Sequence, residues 1–195
     1  RIRRAAGRTL RRGRPGEKAY AVALVVKLLD VTGFRIGNEH YLRENRSRGV
    51  LTLSKRHLDI DEELGSMEFD FKSKGGRRVT RTLVRKRLAG RVRQLQALPG
   101  QRVFVYRNEK GGWSDLCSEE GSAFLSDRAE QAFTAKDFRT WIGTREAASS
   151  LAALDPEEVS PGQAWQQSVE AAARALCNTK AIAQKSYVDP RLKEE

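Results

Sequence analysis

Tyr187 stands in the run Gln184-Lys185-Ser186-Tyr187-Val188-Asp189-Pro190, just ahead of a helix-breaking proline near the end of the chain. A phenol ionises near ~10 in water, so it attacks an electrophile at neutral pH only inside a cationic cluster. Candidate cations are present. Arg139, in Phe133-Thr134-Ala135-Lys136-Asp137-Phe138-Arg139-Thr140-Trp141, falls in the second turn of a helix that Thr134 would cap, near amides that already favour anions. A guanidinium there can grip two phosphate oxygens at once. Arg35 is flanked by Gly33 and Gly37, which let backbone approach a ligand closely. Lys74 sits at the tip of a turn, from which an ammonium could protonate a leaving oxygen. Such a set would cleave a phosphodiester without a metal: a nucleophile, fixed cations around a pentacoordinate phosphorus, and an acid for the leaving group. Taken one at a time, each has a plainer reading. Tyr187 is then a packing tyrosine, Arg139 a surface residue paired with Asp137 or Glu130, Arg35 an exposed loop residue and Lys74 a solvated turn residue.

These side chains depend on the elements that carry them. Residues 1 to 16 read as a basic leader or linker closed by Pro15-Gly16, and 17 to 195 as the domain proper. Glu17 to Asp30 is a helix, apolar nearly all round and therefore expected in the core, which Gly33 stops. A second helix is expected from about Ile36 to Arg46. Val50 to Leu53 and His57 to Ile60 are short strand candidates. Met67, Phe69 and Phe71 alternate with Glu68, Asp70 and Lys72, the period of a half-buried strand. Ser73-Lys74-Gly75-Gly76 is a turn, and Arg78 to Leu83 returns as its partner strand. Helices follow at Lys86 to Ala97, Ser118 to Glu130, Thr134 to about Leu151, Gly162 to Cys177 and Thr179 to Tyr187, with an extended stretch at Val103 to Tyr106. Thr134 and Asp137 have capping-box spacing. The expected class is α+β: mainly helical, with a small antiparallel β-sheet and hairpin.

Composition narrows the function. The net charge is +12 over 195 residues, and it is segregated. Lys72 to Arg93 holds ten Lys or Arg and no acid, whereas Trp141 to Glu195 holds six basic and eight acidic residues. Segregated cations are the footprint of a polyanion partner, because contact with phosphates releases counterions; a solubilising or ribosomal-type surface is the bland alternative. Cys117 and Cys177 are too few for a disulfide framework or zinc site, and His40 and His57 are the only histidines. No phosphate-binding glycine motif is present, so neither a cofactor nor a metal is expected. The longest apolar stretch, Ala19 to Leu29, carries Lys27 and is too short to span a bilayer, so no membrane association is expected.

In order along the chain, the motifs resemble those of a known family. Phe34-Arg35-Ile36-Gly37-Asn38-Glu39 with Tyr41 and Asn45, Gly49-Val50-Leu51-Thr52-Leu53 with His57, Phe69-Asp70-Phe71-Lys72-Ser73-Lys74-Gly75, Leu98-Pro99-Gly100-Gln101, Phe133 to Trp141, and Asn178-Thr179 through Lys185-Ser186-Tyr187-Val188 are similar to the catalytic domain of poxvirus-type and bacterial type IB DNA topoisomerases. The resemblance runs from Glu17 onward and implies the tyrosine-recombinase/topoisomerase IB-like fold. By position it implies Tyr187 as the nucleophile, Arg35 and Arg139 as phosphate clamps and Lys74 as the general acid. The remaining active-site position, a histidine in viral members, falls on Asn178, which can donate a hydrogen bond but cannot become a cation. Tyr41 matches a residue implied to contact DNA. Lys72, Arg77 and Arg78 on the basic hairpin, and Lys136 beside Arg139, are the further expected DNA contacts.

The resemblance further implies double-stranded DNA as partner, a monomer, and a location in the cytoplasm, on the bacterial nucleoid, or in a virus. Family members carry an additional N-terminal β-rich domain that closes around the duplex. Since the chain starts at Arg1 without an initiator Met, such a domain is expected to be missing here, with weaker DNA binding as the consequence. Two other readings stay open. A tyrosine site-specific recombinase would use similar chemistry, but such enzymes show a His-x-x-Arg box where this chain has Lys136-Asp137-Phe138-Arg139. A non-catalytic basic DNA-binding module would need none of the chemistry.

Overall fold

A computed structural model describes residues 1–127 and 133–193. The chain divides into two units, Arg1–Leu29 with Arg35–Thr134, and Asp30–Phe34 with Ala135–Glu195.

The first unit opens with a helix where the charge density suggested a leader. In α1 (Ile2–Arg12), Ile2, Ala6 and Leu10 recur every four residues and are buried, while Arg3, Arg4, Arg8, Arg11 and Arg12 face outward. α2 (Lys18–Thr32) is apolar on all sides, and Tyr20 to Val26, Leu28 and Leu29 are buried as that composition requires. α3 (Glu39–Asn45) is shorter than expected: Asn38 caps it by accepting from the Tyr41 amide at 3.0 Å, and Arg46 ends it in the left-handed region.

The sheet follows the sequence closely. β1 (Leu58–Asp61), β2 (Ser66–Lys72) and β3 (Arg78–Val84) form an antiparallel sheet in that order, with Phe69 opposite Arg81 and Phe71 opposite Val79. Met67, Phe69 and Phe71 point into the core; Glu68, Asp70 and Lys72 point out. The segment Val50–Thr52, expected as a strand, is a 3-10 turn. β-branched residues favour a strand there, but the Thr52 side chain folds back on Gly49, accepting from its amide at 2.9 Å, and closes the turn instead. α4 (Lys86–Gln96) buries Ala89, Val92 and Leu95. β4 (Val105–Arg107) pairs with β5 (Trp113–Asp115), a short strand with no expectation from sequence. α5 (Ser118–Ser126) completes the unit; the remainder of the expected helix to Glu130 lies outside the described residues.

The second unit is built on α6 (Ala135–Leu151), α7 (Pro161–Ala175) and α8 (Lys180–Tyr187), each in contact with the other two, with a 3-10 turn at Pro190–Lys193 after them. Ala147, Trp165, Val169, Ala172, Ala173, Ala183 and Val188 form one apolar cluster; Ile142, Leu176 and Tyr187 form another.

Candidate active site

The buried face of α6 consists of Phe138, Arg139, Ile142, Gly143 and Ala147. A helix turns apolar residues toward its core at this spacing, so an arginine in the series is an exception that needs a reason. Arg139 is 5% exposed. Its Nη1 donates to the Gly33 carbonyl and its Nη2 to the Leu176 carbonyl at 3.2 Å, which orients the guanidinium plane. Its Cζ lies 4.7 Å from the centre of the Tyr187 ring, in cation–π contact. Tyr187 is the last residue of α8 and is itself buried. The second unit thus brings together the expected nucleophile and one expected clamp.

Asn178, in the same unit, lies at the ending of α7. α7 closes with the Asn178 amide donating to the Ala173 carbonyl at 2.8 Å and the Cys177 amide to that of Arg174 at 3.1 Å, the paired bonds of a Schellman motif. Cys177 takes the left-handed position, φ 49°, that glycine usually fills. The motif sets Asn178 two residues after Leu176, whose carbonyl binds Arg139. Asn178 Oδ1 accepts from the Thr179 amide at 3.2 Å, while its Nδ2 is buried with no hydrogen-bond partner among the described residues. An amide donor left in this state costs about 1–3 kcal/mol unless an acceptor arrives. Thr179 caps α8, accepting from the Ile182 amide at 3.2 Å.

Arg35 and Lys74 belong to the first unit. Arg35 lies on the loop before α3, where its carbonyl accepts from the Val50 amide at 2.9 Å. That loop crosses the 49–52 turn backbone to backbone: a methyl group on Gly37 would meet the Gly49 nitrogen at 2.7 Å, so both glycines are required. Lys74, exposed at the hairpin tip, leans on α3. Its Nζ donates to the Tyr41 hydroxyl at 3.4 Å and sits 4.6 Å from the ring centre. The Arg48 amide donates to the Lys72 carbonyl at 2.7 Å, a second tie between the α3 segment and the hairpin. Of the expected DNA contacts, Lys72, Arg77, Arg78, Lys136 and Tyr41 are all exposed. Arg78 is already engaged, its fork closed on Asp70 at 2.7 and 2.5 Å. Among the described residues no group of three or more His, Cys, Asp or Glu could hold a metal ion, and no helix is long and apolar enough to cross a membrane.

Some residues that shape the site carried no chemical signal in the sequence. Gly143 packs against the backbone of Tyr187, and Thr144 hydrogen-bonds to it. A glycine in mid-helix was the only available hint.

One unit, built on three helices, holds a tyrosine on a buried arginine, the other carries a basic β-hairpin, and a chain with these features is a DNA topoisomerase by family. The family model for the catalytic core of eukaryotic DNA topoisomerase I matches residues 1–194. The chain belongs to that family, the type IB topoisomerases. It is similar to a DNA topoisomerase 1B of Acanthamoeba polyphaga mimivirus, with 26% identity over 180 residues, covering 88% of this chain. The chain spans 53% of that relative's length.

Proposed function

We propose that the protein relaxes supercoiled DNA by cutting and resealing one strand through a 3′-phosphotyrosyl bond at Tyr187, without ATP or a metal. The observation that carries this reading is the Arg139 guanidinium held by two carbonyls against the Tyr187 ring, 4.7 Å from its centre.

In the proposed cycle the Tyr187 oxygen attacks the phosphorus as its proton passes to solvent water. The bond from phosphorus to the 5′-oxygen breaks, and Lys74 supplies the proton that this oxygen takes up. Arg35 and Arg139 bind the non-bridging oxygens as charge builds on them, where preorganised donors act most strongly. Asn178 Nδ2, buried without an acceptor among the described residues, is a third donor for the same oxygens. The cut strand rotates about the intact one, and the 5′-hydroxyl then attacks the phosphotyrosine and restores the chain. The ester link conserves the energy of the broken bond, so no nucleotide need be hydrolysed.

Relaxation of a supercoiled plasmid in EDTA tests this. The parent should relax it and Tyr187→Phe should not, while both bind DNA equally. Binding without relaxation by the parent would instead indicate a non-catalytic DNA-binding module, and strand exchange between two duplexes a recombinase.

A further inference from the structure

We propose that Gly143 and Thr144 are positioning residues for the nucleophile: together they fix the main chain of Tyr187, so that the phenol has one place to stand over Arg139. The inference rests on Tyr187 being the attacking residue and adds the device that aims it.

Gly143 lies in the middle of a 17-residue helix, where glycine is among the poorest choices. Its surroundings explain its presence. A methyl group at 143 would lie 2.6 Å from the Tyr187 carbonyl oxygen, 3.1 Å from the Tyr187 Cβ and 3.1 Å from Leu176 Cδ1. Two of the three atoms belong to the main chain or the root of Tyr187, which cannot swing aside as a side-chain tip would. The end of α8 therefore rests on bare backbone of α6.

Thr144 secures the same segment. Its Oγ1 donates to the Tyr187 carbonyl at 3.3 Å and accepts from the Asp189 amide at 3.1 Å. Carbonyls in the last turn of a helix have no partner within it, and here a hydroxyl from the neighbouring helix supplies one. With the chain held on both sides of Val188, the direction in which the Tyr187 side chain leaves the main chain is set.

The geometry also couples the two reactive groups. Arg139 and Gly143 are four residues apart on α6, hence on one face a single turn apart. One rigid helix carries both the cation and the seat of the nucleophile, so their separation does not depend on a loop. Displacement of a reacting group by ~1 Å can cost about a hundredfold in rate.

Single-turnover cleavage of a nicked duplex by the intact protein tests the proposal, with melting curves giving the folded fraction and fluorescence anisotropy the DNA affinity. Thr144→Val keeps the shape and loses the hydroxyl. It should cleave roughly 10- to 100-fold more slowly at unchanged DNA affinity, with Thr144→Ser restoring the rate to within about threefold. Gly143→Ala should show a similar loss.

A duplex whose leaving 5′-oxygen is replaced by sulfur separates this role from that of the leaving-group acid, because a thiolate departs without a proton. It should rescue Lys74→Ala but not Thr144→Val. Cleavage by both the Thr144→Val and Gly143→Ala variants within threefold of the parent, per folded molecule, overturns the proposal; so does rescue of Thr144→Val by the sulfur substrate. Absence of any adduct in the parent would instead remove the nucleophile itself.

Discussion

In the proposed reaction, Arg139 carries much of the second unit's part in one side chain. A lysine could replace its charge but not its planar fork, and only the fork can meet the carbonyls of Gly33 and Leu176 while its face lies on Tyr187. Arg139→Lys should therefore slow single-turnover cleavage by about two to three orders of magnitude, the range for loss of one preorganised donor, with DNA affinity little changed. A parental rate in that variant would show that charge alone suffices. In the sequence, Arg139 stands out only by its place in a motif. What the sequence did not show was that Arg139 sits on the buried face of α6, because Phe138, Ile142 and Ala147 define that face only once the helix phase is known. Tyr41, a DNA contact by resemblance, also holds the Lys74 ammonium with its ring and hydroxyl.

Among the elements, the hairpin was legible because strict alternation along Met67 to Lys72 has no helical counterpart, and the helices because their caps and breakers mark them. α1 was hidden by its arginines: three apolar residues spaced by four are a faint signal in a segment that is half cationic. The 50–52 turn was hidden because it depends on a contact between Gly37 and Gly49, remote in sequence. Helix endings also matter for stability. Cys177 occupies a left-handed position that costs a side chain about 1–2 kcal/mol, part of which glycine recovers after its greater entropy loss. Cys177→Gly should raise stability by roughly 0.5–1 kcal/mol in denaturant titration; destabilisation would mean that the thiol packs better than its backbone suggests.

In the first unit, Glu120 ties together α2, β4 and α5. It accepts from the Tyr106 hydroxyl at 2.8 Å and the Cys117 amide at 3.0 Å and pairs with Lys18. Burial works to raise its pKa, but the hydrogen bonds from Cys117, Lys18 and Tyr106 outweigh it and hold the carboxyl at about 2 against an ordinary 4.5. A depressed carboxylate contributes stability that is full above its unfolded pKa and lost as pH falls through the folded one. Thermal melting should therefore weaken between about pH 4.5 and 2, and Glu120→Gln should flatten that slope. An unchanged slope would assign acid sensitivity to other carboxylates.

At the scale of the whole molecule, charge separates the sequence into a strongly basic stretch and a nearly neutral C-terminal third. Lys72 and Arg77 are exposed on the basic hairpin, whereas Arg78 is closed on Asp70. Binding to duplex DNA should weaken steeply with salt, and each phosphate contact removed should lessen the log–log slope by about 0.9. Lys72→Ala and Arg77→Ala should each show that change, and Arg78→Ala a smaller one. Equal slopes for all three would mean that the hairpin does not track the backbone. Charge distribution was the most readable global property of the sequence. The division into two units was not readable, since residues 30–34 belong with helices that begin a hundred positions later.

The most direct measurement is the identity of the bond itself. A nicked oligonucleotide that loses its short 5′-hydroxyl product should trap the protein in EDTA, and peptide mapping of the adduct should find the nucleotide on Tyr187. One modified peptide is expected, ending in or spanning Ser186-Tyr187-Val188, and none from Tyr187→Phe. An adduct that survives in Tyr187→Phe, or a modified residue elsewhere in the chain, would contradict it.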